Sequence, residues 1–574
     1  MVTSSIRRSH QGLLQKILVA CVFGGGLMLT AAHAQIDTVF YILLENRCFT
    51  SGTDKSYNNV IYTNSAAPYL TSLCTSTAPS GTAQATTAAW SQSSFCSCYH
   101  NANATTTQTS NPVHPSEPNY VWMEAGSNLS KLDDNDPYGS GKSVLQIGNY
   151  LASHPTASGQ NFCALLQNAG ISWTAYGEGT CLLNSNGLDF NANTTSGSAT
   201  LTNNIAPLGT RTVPLASFSG TSATYTNAYN GTHQYNFAAK HTGSLFFPAT
   251  NGSTVTTANT SPSNVEVAHY APLEQLATDL QNGTVAQYNV ITPDQYNDGH
   301  TALATNFVYN GVTYTAGSDL ERVAQMDNFC SIIVPQIMNS PVYQQGHSAI
   351  VIWTDETEGS PQDDYYHTLT EIVISPYAKG NGYNSTLNYT HSSDLATFQK
   401  VFAVTANTPT GFLNDAANFS NPTVGSAVVN TGQGLQSATN QPFFGFGTGV
   451  AQDMSDLFVA GTIPASLPGL NVVEGGYVVN RKTGAVAQAI TVTNVLTSAI
   501  TTPIYLVVGN LSSNTHLLNP SGTTVNNIPG SPYVIVAPSG LAAGASTTVS
   551  LQFSAPTSGT ITNELSALVT SGTP

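Results

Sequence analysis

The densest chemistry in the sequence lies in His114-Pro115-Ser116-Glu117-Pro118-Asn119-Tyr120. Ser116 precedes a proline and an apolar run, Val121–Gly126, the pattern of a helix start with Ser at the cap and Pro in the first turn. A helix N-terminus has backbone N–H groups without intrahelical partners and a partial positive charge, which suits a phosphate. A hydroxyl at that spot is placed to attack the phosphorus it helps to hold. Three more polar groups stand directly behind short apolar runs. Glu45-Asn46 follows Asp37–Leu44, Asp298 and His300 follow Tyr288–Thr292, and Asp355-Glu356 follows Ser348–Thr354. Nearly continuous apolar runs of this length read as buried parallel strands. In open α/β sheets ligands bind at the carboxyl edge of the strands, so these groups converge on one edge beside Ser116. Each group alone also fits an ordinary loop or helix cap; their concurrence on one edge is the signal.

The elements that must carry these residues alternate. Val144–Ala152 and Phe162–Ala169 read as helices, Gly170–Tyr176 as a strand, and Pro272–Gln281 and Asp319–Met338 as helices. Leu369–Ser375 reads as a strand and Asp394–Val404 as a helix. Such alternation indicates an α/β sheet. Residues 50–112 and 182–235 are Thr-, Ser- and Asn-rich and read as long surface insertions, the first pinned by cysteines. From about residue 470 short alternating runs separated by Pro, Gly, Ser and Asn suggest a β-sandwich with no clustered titratable groups. The expected organisation is a leader at 1–34, a catalytic domain at 35–405, a Gly/Asn/Thr-rich extension at 406–469 and a β-sandwich module at 470–574.

The leader combines Arg7, Arg8 and Lys16, an apolar run from Ile17 to Ala32, and Ala32-His33-Ala34, a small-x-small cleavage site. That is the pattern of a secretory signal peptide cut after Ala34, and it predicts a secreted or periplasmic protein. No later run is long enough to span a membrane. The formal net charge is −16, and charged residues make up only 8% of the chain. An acidic chain of this kind argues against nucleic acid as a partner. Seven cysteines follow the leader, with Cys96 and Cys98 in a C-x-C pair, and export makes disulfides with one thiol left over the expectation. Asp136–Ser143 imitates a phosphate-binding P-loop but has Asp where the first Gly belongs. The G-x-S-x-G elbow of serine esterases does not occur.

Glu45-Asn46-Arg47-Cys48-Phe49 resembles the E-N-R-S-F signature of the bacterial phosphoesterase family that includes phosphatidylcholine-type phospholipases C and secreted acid phosphatases. His114–Tyr120, Lys240-His241, Ile291–His300, Trp353–Glu356, Ile374-Ser375-Pro376-Tyr377 and Tyr389-Thr390-His391-Ser392-Ser393 are similar to further blocks of that family, in order. The resemblance implies a doubly wound, mostly parallel α/β sheet of alkaline-phosphatase-like type. It also implies Ser116 as nucleophile and Glu45, Asn46, Asp355 and Glu356 as metal-binding positions. His241 and His300 match histidines of the phosphate pocket, and His114 joins them among the catalytic candidates. Asp298, His391 and His367 are further candidates. The implied cofactor is one or more divalent ions, and hard oxygen ligands admit calcium, magnesium or manganese, with zinc if an imidazole joins. The implied substrate is a small phosphate ester or a phospholipid headgroup. An acid phosphatase is the first expectation, with a phospholipase C-type diesterase and an inactive binding protein on the same fold as alternatives. Cys48, Thr50 and Glu117 depart from the family pattern; Cys48 suggests a disulfide, and Glu117, beside the nucleophile, a bias in the substrates admitted.

Overall fold

In the computed structural model the described residues are 36–51, 60–101, 114–131, 133–138, 143–153, 159–180, 212–223, 225–357, 367–387, 389–406, 412–413, 453–464, 469–495, 499–501, 503–509, 511–524 and 531–569. The expected leader at 1–34, Cys21, Cys181 and most of 406–469 lie outside them.

Eight strands build the main sheet: β1 (Thr38–Leu44), β2 (Ser93–Cys96), β3 (Trp173–Gly177), β4 (Tyr270–Pro272), β5 (Tyr288–Thr292), β6 (Ser348–Thr354), β7 (Glu371–Ile374) and β8 (Tyr383–Ser385). Their order across the sheet is β8-β2-β7-β6-β1-β5-β3-β4. The sheet is mixed: β6, β1, β5, β3 and β4 run parallel to one another, whereas β7 is antiparallel to both β6 and β2. Every residue of β1 is buried. Val39, Tyr41 and Leu43 face one hydrophobic cluster, and Phe40, Ile42 and Leu44 face another. This two-sided burial explains the unbroken apolar run.

Helices cover both faces. On one side lie α2 (Ser116–Ala125), α3 (Phe162–Asn168) and α6 (His391–Val401); on the other lie α1 (Pro68–Leu73), α4 (Leu276–Asn282) and α5 (Asp319–Met338). Ser318 caps α5 by accepting the Glu321 N–H, and Asp319 and Glu321 sit in its first turn, where the helix dipole favours negative charge. Buried Asp327 of α5 accepts the N–H groups of Tyr69 (3.0 Å) and Leu70 (2.7 Å), which fastens the start of α1 to α5.

Residues 50–112 are more than a surface insertion. Their described part contains α1, a short helix at Thr87–Ser91 and strand β2 inside the main sheet. Leu70, Leu73, Ala89 and Phe95 are the buried anchors, scattered among Thr and Ser so that no clear period emerges. In the second insertion, 181–211 lie outside the described residues, and Phe218–Thr221 pairs antiparallel with Gln234–Phe237.

The expected disulfide framework is not formed among Cys74, Cys96, Cys98, Cys163 and Cys330. Each thiol is engaged or enclosed where it stands. Cys163 donates to Glu124 Oε1 (3.0 Å), and Cys96 Sγ accepts the Cys98 N–H (3.2 Å). Burial pushes the Cys74, Cys163 and Cys330 thiols well up, as for inert core cysteines.

Beyond the main sheet, Leu470–Val479, Val486–Asn494 and Ser546–Phe553 form one antiparallel sheet. Gly522–Thr523, Pro532–Ala537, Ile504–Gly509 and Glu564–Val569 form another. Ile490, Val492, Leu506, Val508, Leu551 and Phe553 of the two sheets share one hydrophobic cluster. Among the described residues no helix is long and apolar enough to cross a membrane.

Candidate active site

The carboxyl ends of the three central parallel strands are stitched together by the backbone. Glu45 N–H, just past β1, donates to the Asp298 carbonyl (2.9 Å), and Asp355 N–H, just past β6, donates to the Leu44 carbonyl (3.2 Å). This places Glu45-Asn46, Asp298 and Asp355-Glu356 side by side. Asn46 has a left-handed backbone, φ 43°, which Asn tolerates better than most residues. The turn aims Asn46 N–H at Asp355 Oδ1 (2.9 Å) and Asn46 Nδ2 at Glu356 Oε1 (3.0 Å).

Helix α2 brings Ser116 to this edge. Ser116 is the first helical residue rather than the cap: Pro115 occupies the cap, after a cis His114–Pro115 peptide. The Ser116 hydroxyl faces two carboxylates, Glu45 Oε2 at 2.9 Å and Glu356 Oε1 at 3.3 Å. Asn119 and Tyr120 lie three and four residues on, one above the other with Ser116 on the same helical face. Asn119 Nδ2 donates to Glu356 Oε2 (3.0 Å), and Tyr120 O–H donates to Glu45 Oε1 (2.5 Å). Neither was among the sequence candidates, although their spacing from Ser116 carried the signal.

The imidazoles divide into near and far. His114 Nδ1 lies 2.8 Å from Glu356 Oε2, with 28% of its side chain exposed. His241 is buried and stacked on Tyr120, ring centres 4.9 Å apart at 12°. Its Nε2 is 3.2 Å from Glu45 Oε1 and its Nδ1 3.5 Å from Asp298 Oδ2, without hydrogen-bond geometry at either nitrogen. His391 reaches the Asp355 carbonyl (2.8 Å) and Asn119 Oδ1 (3.1 Å). His300 stays at the exposed rim, its ring centre 6.5 Å from that of His241. His367 pairs with Ser51 through its backbone, and its side chain lies outside the described residues.

Glu117 corrects an expectation. One position round the helix from Ser116, its side chain is buried away from that hydroxyl. Oε2 accepts the Asn135 N–H (2.9 Å), and Oε1 lies 3.7 Å from Lys131 Nζ. It holds Asn135 and Lys131 in place. Burial, reinforced by Asp133, pushes its pKa up to about 9 against the pull of Lys131.

The electrostatics are one-sided. Glu45, Asp298, Asp355 and Glu356 are all buried, and burial followed by repulsion from the neighbouring carboxylates raises Glu45 and Asp355 well above the ordinary range. Burial also raises Asp298 well above it and raises Glu356, where His114 opposes the shift. Burial, then the charge of Lys240, then His300 hold His241 well below its ordinary pKa, so its ring is neutral. Three buried oxygens of this cluster have no hydrogen-bond partner: Asn46 Oδ1, Asp298 Oδ2 and Asp355 Oδ2. Crowded acidic oxygens with lone pairs to spare fit a hard divalent cation. As the side chains stand, no group of three His, Cys, Asp or Glu among the described residues is gathered to enclose one.

A family model, that of the Phosphoesterase family, matches residues 101–405, just over half of the chain. The chain belongs to the Phosphoesterase family, and so to a group whose name denotes hydrolysis of phosphoric esters. The matched region contains Ser116, His241, Asp298, Asp355, Glu356 and His391; Glu45 and Asn46 precede it. No curated protein gives a match. Among solved structures, the chain is similar to that in "Crystal structure of Ps i-CgsB in complex with k-i-k-neocarrahexaose". Identity is 11%, coverage 80% of this chain and 83% of that one, and the TM-score 0.32, a likeness on which no argument rests.

Proposed function

We propose that the protein is an exported, metal-assisted phosphatase that hydrolyses phosphate monoesters through a phosphoenzyme on Ser116. One observation carries this reading: the Ser116 hydroxyl sits at a helix start between two buried carboxylates, 2.9 and 3.3 Å away. A phosphate dianion placed against four carboxylates is strongly repelled unless a cation offsets their charge. Glu45, Asn46, Asp298, Asp355 and Glu356 would supply its oxygen ligands. Such an ion, when bound, lowers the pKa of a coordinated hydroxyl and neutralises charge on phosphoryl oxygens.

The protein groups do the rest. Glu45 and Glu356 orient the Ser116 Oγ lone pair outward and stand within hydrogen-bond reach to receive its proton. Tyr120 and Asn119 hold those two carboxylates in place. Neutral His241, whose ring nitrogens have no hydrogen-bond partner, donates an N–H to a non-bridging oxygen. His114, partly exposed beside Glu356, is placed to protonate the leaving oxygen and later to deprotonate the water that releases Ser116.

The test is turnover of p-nitrophenyl phosphate and p-nitrophenyl phosphorylcholine from acid to alkaline pH, before and after metal stripping. Metal-dependent hydrolysis of the monoester supports the proposal. Hydrolysis of the choline ester alone moves the chain to the diesterase branch. Silence on both, with no metal bound after loading, overturns the enzyme reading.

A further inference from the structure

Strands Leu470–Val479 and Val486–Asn494 form a hairpin that carries apolar side chains out of the module's core. Tyr477, Val478 and Val479 are 44%, 68% and 56% exposed in succession. Side chains alternate between the two faces of a strand, so a run that packs on a core buries every second residue. Here Tyr477 leans on Phe553, ring centres 6.1 Å apart, and its hydroxyl accepts from Asn563 Nδ2 (3.1 Å). Val478 and Val479 lie beyond that contact, outside the hydrophobic cluster of the module, and expose both faces. Three consecutive exposed apolar residues point to a role outside the fold itself.

The turn that follows is closed by its own hydrogen bonds. Asn480 N–H donates to the Ala485 carbonyl (2.7 Å), and Gly484 N–H donates to the Asn480 carbonyl (2.8 Å). Asn480 Oδ1 accepts the Lys482 N–H (3.0 Å), and Gly484 takes φ 70°, which glycine adopts without strain. At the apex stand Arg481 and Lys482, both exposed. They are the only Lys or Arg residues after Lys400, in a chain of net charge −16. Glu474 and Glu564, the acids of the same stretch, stand outside 477–485.

Apolar exposure and positive charge therefore coincide at one hairpin tip. Tyr and Val beside Arg and Lys match the boundary of a bilayer, where apolar groups enter the acyl edge and cations meet anionic headgroups. Electrostatic forces are screened over about 8 Å at physiological ionic strength, so acids farther than that from the surface add little repulsion. We propose that the tip, Tyr477–Lys482, docks the protein reversibly on a lipid surface that bears anionic headgroups. Two valines and two cations make a weak contact, which gathers the protein at a membrane without anchoring it. The proposal does not rest on the phosphatase reading.

The test is co-sedimentation of the full chain with vesicles in low-salt buffer without divalent salts. One set of vesicles is phosphatidylethanolamine with phosphatidylglycerol, the other phosphatidylcholine alone. The wild type should bind the anionic vesicles, release them as salt is raised, and leave the phosphatidylcholine vesicles unbound. Arg481→Glu with Lys482→Glu should weaken binding about 10-fold or more, and Val478→Ser with Val479→Ser about 5-fold or more. All four side chains are exposed, so both variants should melt like the wild type and turn over p-nitrophenyl phosphate at the wild-type rate. Equal binding to both lipids, no binding to either, or unchanged binding in the two variants overturns the proposal. Binding to dextran sulfate but not to vesicles overturns it in favour of an anionic polysaccharide. A dimer in sedimentation velocity that Val478→Ser with Val479→Ser dissolves, without vesicle binding, overturns it in favour of a second copy of the chain. Vesicle binding by a protein that hydrolyses neither ester refutes the phosphatase and leaves the docking tip standing.

Discussion

Ser116 Oγ and Glu45 Oε2 meet at 2.9 Å although 71 positions of sequence separate them. Glu45 comes from the end of the central strand and Ser116 from the first turn of a helix on one face of the sheet. The contact exists because α2 packs its Tyr120, Trp122 and Met123 into the same cluster as Val39, Tyr41 and Leu43 of β1. Packing, not local sequence, delivers the hydroxyl to the carboxylates.

Tyr120 should matter through its hydroxyl. Tyr120→Phe keeps the ring that stacks on His241 and removes the O–H that fixes Glu45 Oε1. We expect kcat on p-nitrophenyl phosphate to fall about 10- to 100-fold with a melting temperature close to wild type. A variant as active as the wild type shows that Glu45 needs no such restraint.

Removal of the ion should be visible without any substrate. Four buried carboxylates that repel one another are relieved when a cation binds, so binding stabilises the fold by mass action. Chelation should lower both the melting temperature and the turnover, and one of calcium, magnesium, manganese or zinc should restore both. Asp355→Asn should weaken that ion's stabilising effect in calorimetry.

Gly243 approaches α2 so closely that a Cβ there would lie 2.3 Å from the Tyr120 carbonyl oxygen and 2.8 Å from Glu124 Cγ. Backbone cannot yield cheaply at that distance. Gly243→Ala should therefore displace α2 from the sheet edge, costing about 1–3 kcal/mol of stability and a larger share of the turnover. Denaturant unfolding and kinetics on the same sample check both; an unperturbed variant contradicts the packing described.

Asp327 supplies a pH test remote from the site. Burial pushes its carboxyl up to about 7, despite the Leu70 and Tyr69 N–H groups and the Tyr309 hydroxyl, which pull it down. Unfolded, the same group titrates near about 4. Between those values the folded state binds more protons, so this group's contribution to stability is full below about pH 4 and is lost as pH rises toward about 7. The stability difference between the wild type and Asp327→Asn, followed by denaturant titration, should shift across that window and level off above it. A constant difference contradicts the raised pKa.

The strands at 38–44, 288–292 and 348–354 and the helix at 319–338 were legible because full burial or strong caps leave unbroken patterns. Strand β2 was not legible, since Ser93-Ser94-Phe95-Cys96 is half polar and takes its place in the sheet from β7 and β8, distant in sequence. At the site, the acidic groups behind each parallel strand could be found from their position alone. Asn119 and Tyr120 could have been found from helical spacing. The contact of His391 with Asn119 could not, because only the tertiary fold brings residues 119 and 391 together.

The central claim is that Ser116 carries the phosphoryl group. Protein turning over p-nitrophenyl phosphate should be quenched in acid and its peptides mapped by mass spectrometry. We expect one added phosphoryl group on the peptide containing Ser116, absent from Ser116→Ala, whose turnover falls about 1,000-fold or more. A phosphoryl group on another residue, or Ser116→Ala with undiminished turnover, contradicts the account.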